Sequence, residues 1–299
     1  MTITHTSSSE AGQIYVPFTN LTLFIGVIGS VLVFQSSSNL AAAYGIAVAG
    51  TMLISTILVT FVVLLAWRWN PWFALPLLGA LLLIDAVFFS ANALKIGQGG
   101  WFALAMGLAS FITLTTWRRG RQLLFQEMGN LTMPLDQFIR SIEKAAPKRV
   151  SSTAVYLTSR PEGAPSALLH NIKHNEVLHA RNVLVTVQTA EVPYVADADR
   201  IQIADLGHTF YRVFVRYGFM EQPNLPEALE GCGAKGLEFD LNTTSFFVSR
   251  EVVVPKMSPP MMLWRELYFI WMLRNAQSAT DFFRIPANRV VELGTLVEI

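Results

Sequence analysis

Four runs of apolar residues dominate the amino-terminal part of the chain: Phe18 to Phe34, about Leu40 to Leu65, about Trp72 to Ala91, and Trp101 to Thr116. A helix that crosses a bilayer needs about 20 predominantly apolar residues. The second run is the longest and carries no charge. Pro17 stands just ahead of the first, where a helix tolerates proline, and Ile14 to Val16 would bring that run to spanning length. The fourth run is short, so bilayer thinning, a flanking extension or burial against neighbours must help it. The pattern predicts four transmembrane helices, at about residues 18–36, 40–66, 71–91 and 100–117.

Beyond Arg121 the pattern changes to that of a water-soluble α/β domain. Ala154 to Leu157, Val183 to Gln188, Phe210 to Tyr217 and Ser245 to Val254 read as strands, bounded by Gly and Pro turn signals. Ala167 to His179, Leu225 to Gly231 and Met261 to Ala276 read as helices. The Pro259-Pro260 pair stands where it would start the last of these. Met261 to Leu273 invites reading as a fifth span, but it is too short and carries Arg265 and Glu266, with Arg274 just beyond. It is expected to pack on a sheet or to dock near the membrane surface. The chain thus divides into a leader, 1–17, a membrane domain, 18–117, and a cytoplasmic α/β domain, 118–299.

Composition agrees with the pattern. Only 14% of residues are charged and 52% are hydrophobic, against roughly a quarter charged in ordinary soluble domains. Between Phe18 and Thr116 the only charged residues are Arg68, Asp85 and Lys95. By the positive-inside rule, Arg68 and the Arg118, Arg119 and Arg121 cluster lie in the cytoplasm and Lys95 outside. Both chain ends are then cytoplasmic, as for a multi-pass protein of the inner (plasma) membrane. Trp67, Trp69, Trp72 and Trp117 fall where an inner aromatic belt belongs, and Trp101 where the outer one does. A net charge of +1 and the lack of a basic stripe give no footprint for nucleic acid. The single cysteine, Cys232, excludes an intrachain disulfide. Met1 to Glu10 lacks the positive start and apolar stretch of a signal peptide.

Chemistry within this frame is sparse. Asp85 is the only acid in the apolar region, and a carboxylate at bilayer depth costs on the order of 3 kcal/mol on insertion scales. It is a possible coupling carboxylate for protons or cations; alternatively it lies near the outer end of its helix, reached by water or paired with Lys95. Small residues crowd the second run, and Ala43, Gly45, Ala47 and Gly50 are candidates for close helix packing. Ser36 to Asn39 can cap the helix that begins near Leu40. His170 and His174 share a helix face at a spacing of four, but His179 falls well round from both, and no further ligand completes a metal set. No cofactor is implied. No nucleophile elbow, phosphate loop or CxxC pair supports enzyme chemistry.

Several strings together resemble one family. They are Gly12 to Pro17, Ser36 to Val48, Gly99 to Phe102 and Thr116 to Arg121 in the first part. In the second they are Ala167 to Asn171 with Lys173 to Asn175, Val192 to Val195, Arg216 to Met220 and Arg289 to Thr295. These resemble the KUP/HAK/KT potassium-uptake transporters. Leu21, where tryptophan is common, and Ala49, where threonine is frequent, depart from the family pattern. The resemblance implies an amino acid–polyamine–cation-type transporter fold of twelve spans with a cytoplasmic tail, of which this chain holds the last four. It implies potassium uptake, with protons as the coupled ion in bacterial members. The broken helices that line the central ion site belong to spans absent here, so no ion-binding residue is transferable. Met1 then reads as an internal methionine of a longer frame, and the missing amino-terminal transporter segment or a second copy of the chain becomes a partner. The competing expectation is a membrane-anchored regulatory or scaffold protein that conducts nothing. A third idea has the tail bind a small signalling nucleotide.

Overall fold

The computed structural model describes residues 3–130, 133–145, 147–256, 260–276 and 278–299. They form two compact units, Pro17–Thr115 and a second made of Met1–Val16 with Thr116–Ile299.

The first unit is helical. Helix α1 covers Pro17–Phe34. It does not extend back to Ile14, because Ile14–Tyr15 forms a strand, β2, paired antiparallel with β1 at Thr4–His5. Helix α2 runs from Ser37 to Phe61 and continues as one π-helical stretch over Val62–Ala66. Ser36 holds the N-cap position with an extended backbone, but its side chain makes no capping bond. Helix α3, Pro71–Ala93, is capped by Asn70, whose side chain accepts from the Trp72 amide, and Pro71 occupies the first turn, where no amide is missed. Helix α4 covers Gly100–Asn130, far past the expected end near residue 117. The arginines at 118–121 mark a change of surroundings and not of secondary structure, and the short fourth apolar run is the first half of a longer helix. Among the described residues four helices are long and apolar enough to cross a membrane: α1, α2 with its π-helical end, α3 and α4.

Hydroxyls inside these helices are satisfied locally. Thr22, Ser30, Thr51, Thr60, Ser90, Thr113 and Thr115 each donate to a carbonyl one turn earlier. In an apolar surrounding, where an unpaired hydroxyl is costly, this keeps the helices uniform. Ala42, Ala43, Ile46 and Ala49 are buried on α2, and Ala74 and Leu78 on α3. Farther along, Val63 packs with Ala74 and Leu78.

The second unit is built on a six-stranded sheet. Helix α5 (Leu135–Ala145) precedes β3 (Lys148–Leu157); α6 (Ser166–Asn175) joins it to β4 (Val177–Ala190). A short α7 (Asp197–Arg200) leads into the hairpin of β5 (Ile201–Gly207) and β6 (Phe210–Gly218). Then come α8 (Leu225–Glu230), β7 (Thr244–Val254), α9 (Leu263–Arg274), α10 (Ala279–Phe282) and β8 (Val290–Glu298). The order across the sheet is β5-β6-β4-β3-β7-β8, with only β5 antiparallel. The first parallel strand is therefore central, and later ones add to one side and then the other, as in doubly wound sheets.

Both faces of such a sheet are covered, and alternation along the central strands shows it. Val155, Val183 and Val185 enter one core with Leu225 and Leu229 of α8. Ala154, Tyr156 and Leu184 enter the other with Phe138 of α5 and Leu168 of α6.

Several expected boundaries move. The Ala167 to His179 helix stops at Asn175, because Glu176 adopts a left-handed conformation (φ 56°) and its amide closes onto the Ile172 carbonyl. His179 therefore lies on β4. The expected strand at Ala154 begins six residues earlier, at Lys148, and the one at Val183 begins at Val177. The helix expected from Met261 begins at Leu263. Of the Pro259-Pro260 pair, Pro259 lies outside the described residues.

Candidate functional site

Asp85, the acid of the apolar region, lies in the α2–α3 seam. Asp85 is buried there, 7% exposed, and its Oδ2 accepts a 2.5 Å hydrogen bond from the Thr56 hydroxyl of α2. Thr51 and Thr60 donate to carbonyls of their own helix, whereas Thr56 turns its hydroxyl to the neighbouring helix. Lys95 is exposed beyond the end of α3, and no ion pair joins it to Asp85 among the described residues. Beside Asp85 an open hollow is lined by Tyr44, Ala47, Thr51, Ser55 and Thr56. One carboxylate and several hydroxyl oxygens suit a proton or a hard monovalent cation, because both take oxygen ligands and need no soft donor.

The seam positions this carboxylate. Gly45 faces Asn92: a Cβ on Gly45 would lie 2.4 Å from the Asn92 Oδ1. A Cβ on Gly50 would meet Phe89 at 3.7 Å. Asp85, Phe89 and Asn92 recur at i, i+4 and i+7 on one side of α3, and meet Thr56, Gly50 and Gly45 in antiparallel order. Of the residues expected to pack, Ala43 is buried, Gly45 and Gly50 are partly so, and Ala47 is exposed and lines the hollow. Sequence reasoning missed Thr56, Phe89 and Asn92. For Phe89 and Asn92 the i, i+4, i+7 spacing from Asp85 was the available signal.

The histidines do not gather. His170 and His174 stack with ring centroids 5.8 Å apart on α6, and His170 Nε2 is 3.1 Å from the Thr295 hydroxyl of β8. His179 packs edge-on to Phe247 at 5.4 Å, and burial lowers its pKa. Among the described residues no three His, Cys, Asp or Glu side chains come together to hold a metal. Cys232 is buried, and loss of water raises its pKa to about 11, so it stays a protonated thiol.

In the second unit a cavity of about 310 Å³ lies where β3 ends and β7 continues. This is the switch point of the doubly wound order, a common place for ligands in such sheets. Arg121 and Phe125 of α4, Arg160, Ser166, Ser249 and Glu251 are among its lining. Arg160 is held in place: it donates to the Phe125 carbonyl at 2.7 Å and lies 3.6 Å over that ring. The Ser249 hydroxyl accepts from the Ala167 amide at the start of α6.

Comparison with known proteins covers both units. Residues 1–122 match the family described as "K+ potassium transporter integral membrane domain", and residues 151–299 match the "K+ potassium transporter C-terminal domain". The chain belongs to this potassium transporter family. The "Probable potassium transport system protein Kup 1" of Rhodopseudomonas palustris is 54% identical over 299 residues, covering 100% of this chain and 48% of the relative. The "Probable potassium transport system protein Kup 2" of Dechloromonas aromatica is 55% identical over the same share of each. The Kup 2 protein of Chromobacterium violaceum is 50% identical over 295 residues, 99% of this chain and 48% of the relative. The chain spans about half the length of these potassium transporter relatives.

Proposed function

We propose that this chain serves in potassium uptake across the cell inner membrane, as part of a transporter that couples potassium to protons. One observation carries the reading: similarity to Kup potassium transport proteins runs from end to end of the chain, through both the apolar helices and the α/β unit. The relatives hold as much sequence again outside the matched stretch, so transport is assigned to the assembled protein and not to these helices alone. Arg68, Arg118, Arg119 and Arg121 support an orientation with the α/β unit in the cytoplasm, and Lys95 with Trp101 supports an outer face at the α3–α4 turn.

Within that reading Asp85 is the coupling carboxylate. A buried acid tied to one hydroxyl, beside a hollow with further oxygens, can alternate between holding a proton and facing a cation. Potassium uptake by the full-length transporter carrying Asp85→Asn, followed against external pH, tests this. Loss of the pH-dependent component is expected. Wild-type rates across the whole pH range would remove Asp85 from the mechanism. Uptake that does not depend on this chain at all would favour the anchored, non-transporting alternative.

A further inference from the structure

Helix α9 buries one face, with Glu266, Phe269 and Ile270, and leaves a second, apolar stripe uncovered. Phe269 and Ile270 are buried against Leu123 and Leu124 of α4 and Val253, Val297 and Ile299 at the ends of β7 and β8. The opposite face carries Trp264, Leu267 and Trp271, which follow the i, i+3, i+7 spacing of one helical stripe and are each at least half exposed. Met262 and Leu263 extend that surface at the start of the helix, and both are exposed. Isolated surface leucines need no explanation, but two tryptophans aligned with three further apolar side chains do.

The attachment of α9 indicates what covers the stripe. Arg265 Nε donates to the Thr116 hydroxyl at 3.0 Å. The Trp117 ring meets Phe269 at 5.7 Å, and Gly120 lets the Phe269 ring approach so closely that a Cβ there would be 2.3 Å from it. All three contacts fall where the uncharged stretch of α4 gives way to its arginines. That part of α4 carries exposed Arg118, Arg119 and Arg121, and α9 adds Arg265 and exposed Arg274. Tryptophan stripes flanked by arginine match the headgroup region of an anionic membrane, where the ring bodies enter the acyl boundary and the guanidinium groups meet lipid phosphate.

We propose that α9 is an interfacial helix, lying on the cytoplasmic leaflet with Trp264, Leu267 and Trp271 in the headgroup layer, where it ties the α/β unit to the membrane surface. The proposal rests on α1–α4 spanning the bilayer. The partner is anionic lipid; a second copy of the chain or another protein segment is the competing occupant.

Spin-label accessibility on the full chain in liposomes containing anionic phospholipid tests it. Cys232 is buried and its thiol stays protonated, so single cysteines placed by Leu267→Cys or Trp271→Cys are labelled selectively. A label at Leu83→Cys on α3 reports whether the spans are in lipid, and one at Ala204→Cys on β5 reports solvent. The expected result is that labels at 267 and 271 collide with oxygen more than with a water-soluble nickel complex, as at 83 and unlike 204. The preference should weaken when anionic lipid is replaced by zwitterionic lipid. Two outcomes overturn the proposal while leaving the spans intact: a solvent-like reading at 267 and 271, or labels shielded from both reagents and thus covered by protein. A solvent-like reading at 83 would instead overturn the spanning helices on which it stands.

Discussion

Glu221 shows how much a single carboxylate can organise within the α/β unit. Burial alone would raise its pKa, but hydrogen bonds from Arg200 (2.8 Å) and from the Gly218 and Val195 amides outweigh this, and its pKa is lowered overall. It thereby ties α7 and the loop before it to the end of β6. A carboxyl with a depressed folded pKa stabilises the fold above its unfolded value, about 4.3, and that stability is lost as pH falls through the lower folded value. Glu221→Gln is therefore expected to cost about 2 kcal/mol at pH 7, with the difference from wild type shrinking once the pH is taken below 4.3. Guanidinium unfolding of the α/β unit, followed by near-ultraviolet circular dichroism at both ends of that range, checks it. An equal deficit at acid pH would mean that the carboxylate charge contributes nothing. Asp85 was legible in the sequence because a lone acid in an apolar run has no competitor. Its partner Thr56 was not, since hydrophobic periodicity ranks faces of one helix and carries nothing about a neighbour 29 residues away. Glu221 escaped for the same reason: its partners come from three separate stretches of backbone and side chain.

Elements were read best where composition and periodicity agreed, and worst where a boundary rests on one residue. The four apolar helices were visible because a bilayer-length run has few alternatives. The carboxyl half of α4, the helix α5, and strands β5 and β8 were missed because their polar residues dilute the pattern, and packing in the second unit decides their state. The end of α6 is the sharpest case. A helix commonly stops on glycine in the left-handed conformation; here Glu176 holds that place, so the sequence carries no stop signal and the helix reads on to His179. The same fact yields a prediction. A side chain in that conformation costs roughly 1 kcal/mol or more relative to glycine, and among the described residues the Glu176 side chain accepts no hydrogen bond. Glu176→Gly is expected to stabilise the α/β unit by about 1 kcal/mol, read as a higher unfolding midpoint at unchanged slope. A lower midpoint would mean that the Glu176 side chain holds the α6–β4 turn by some other interaction.

At the scale of the whole molecule, the strings that carry the family resemblance meet in pairs. Asn39 and Gly99 touch: a Cβ on Gly99 would lie 2.3 Å from the Asn39 carbonyl oxygen, and Phe34 beside them packs on Trp101 and Phe102. In the second unit the Val192 and Pro193 carbonyls accept from the Phe219 and Met220 amides, and His170 meets Thr295. Each of these pairs lies within one of the two units. Their solvents differ as well. The α/β core is held by apolar burial against water, which urea weakens. The membrane helices satisfy their backbone internally and their hydroxyls one turn back, which detergent protects. Titrating the detergent-solubilised chain with urea is therefore expected to give a cooperative transition that removes the near-ultraviolet signal of Trp117, Trp264 and Trp271 while much of the helical far-ultraviolet signal persists. Trp67, Trp69, Trp72 and Trp101 belong to the helical unit, and their fluorescence should stay blue-shifted through that transition. A single transition that shifts both tryptophan groups together would show that the two units unfold as one.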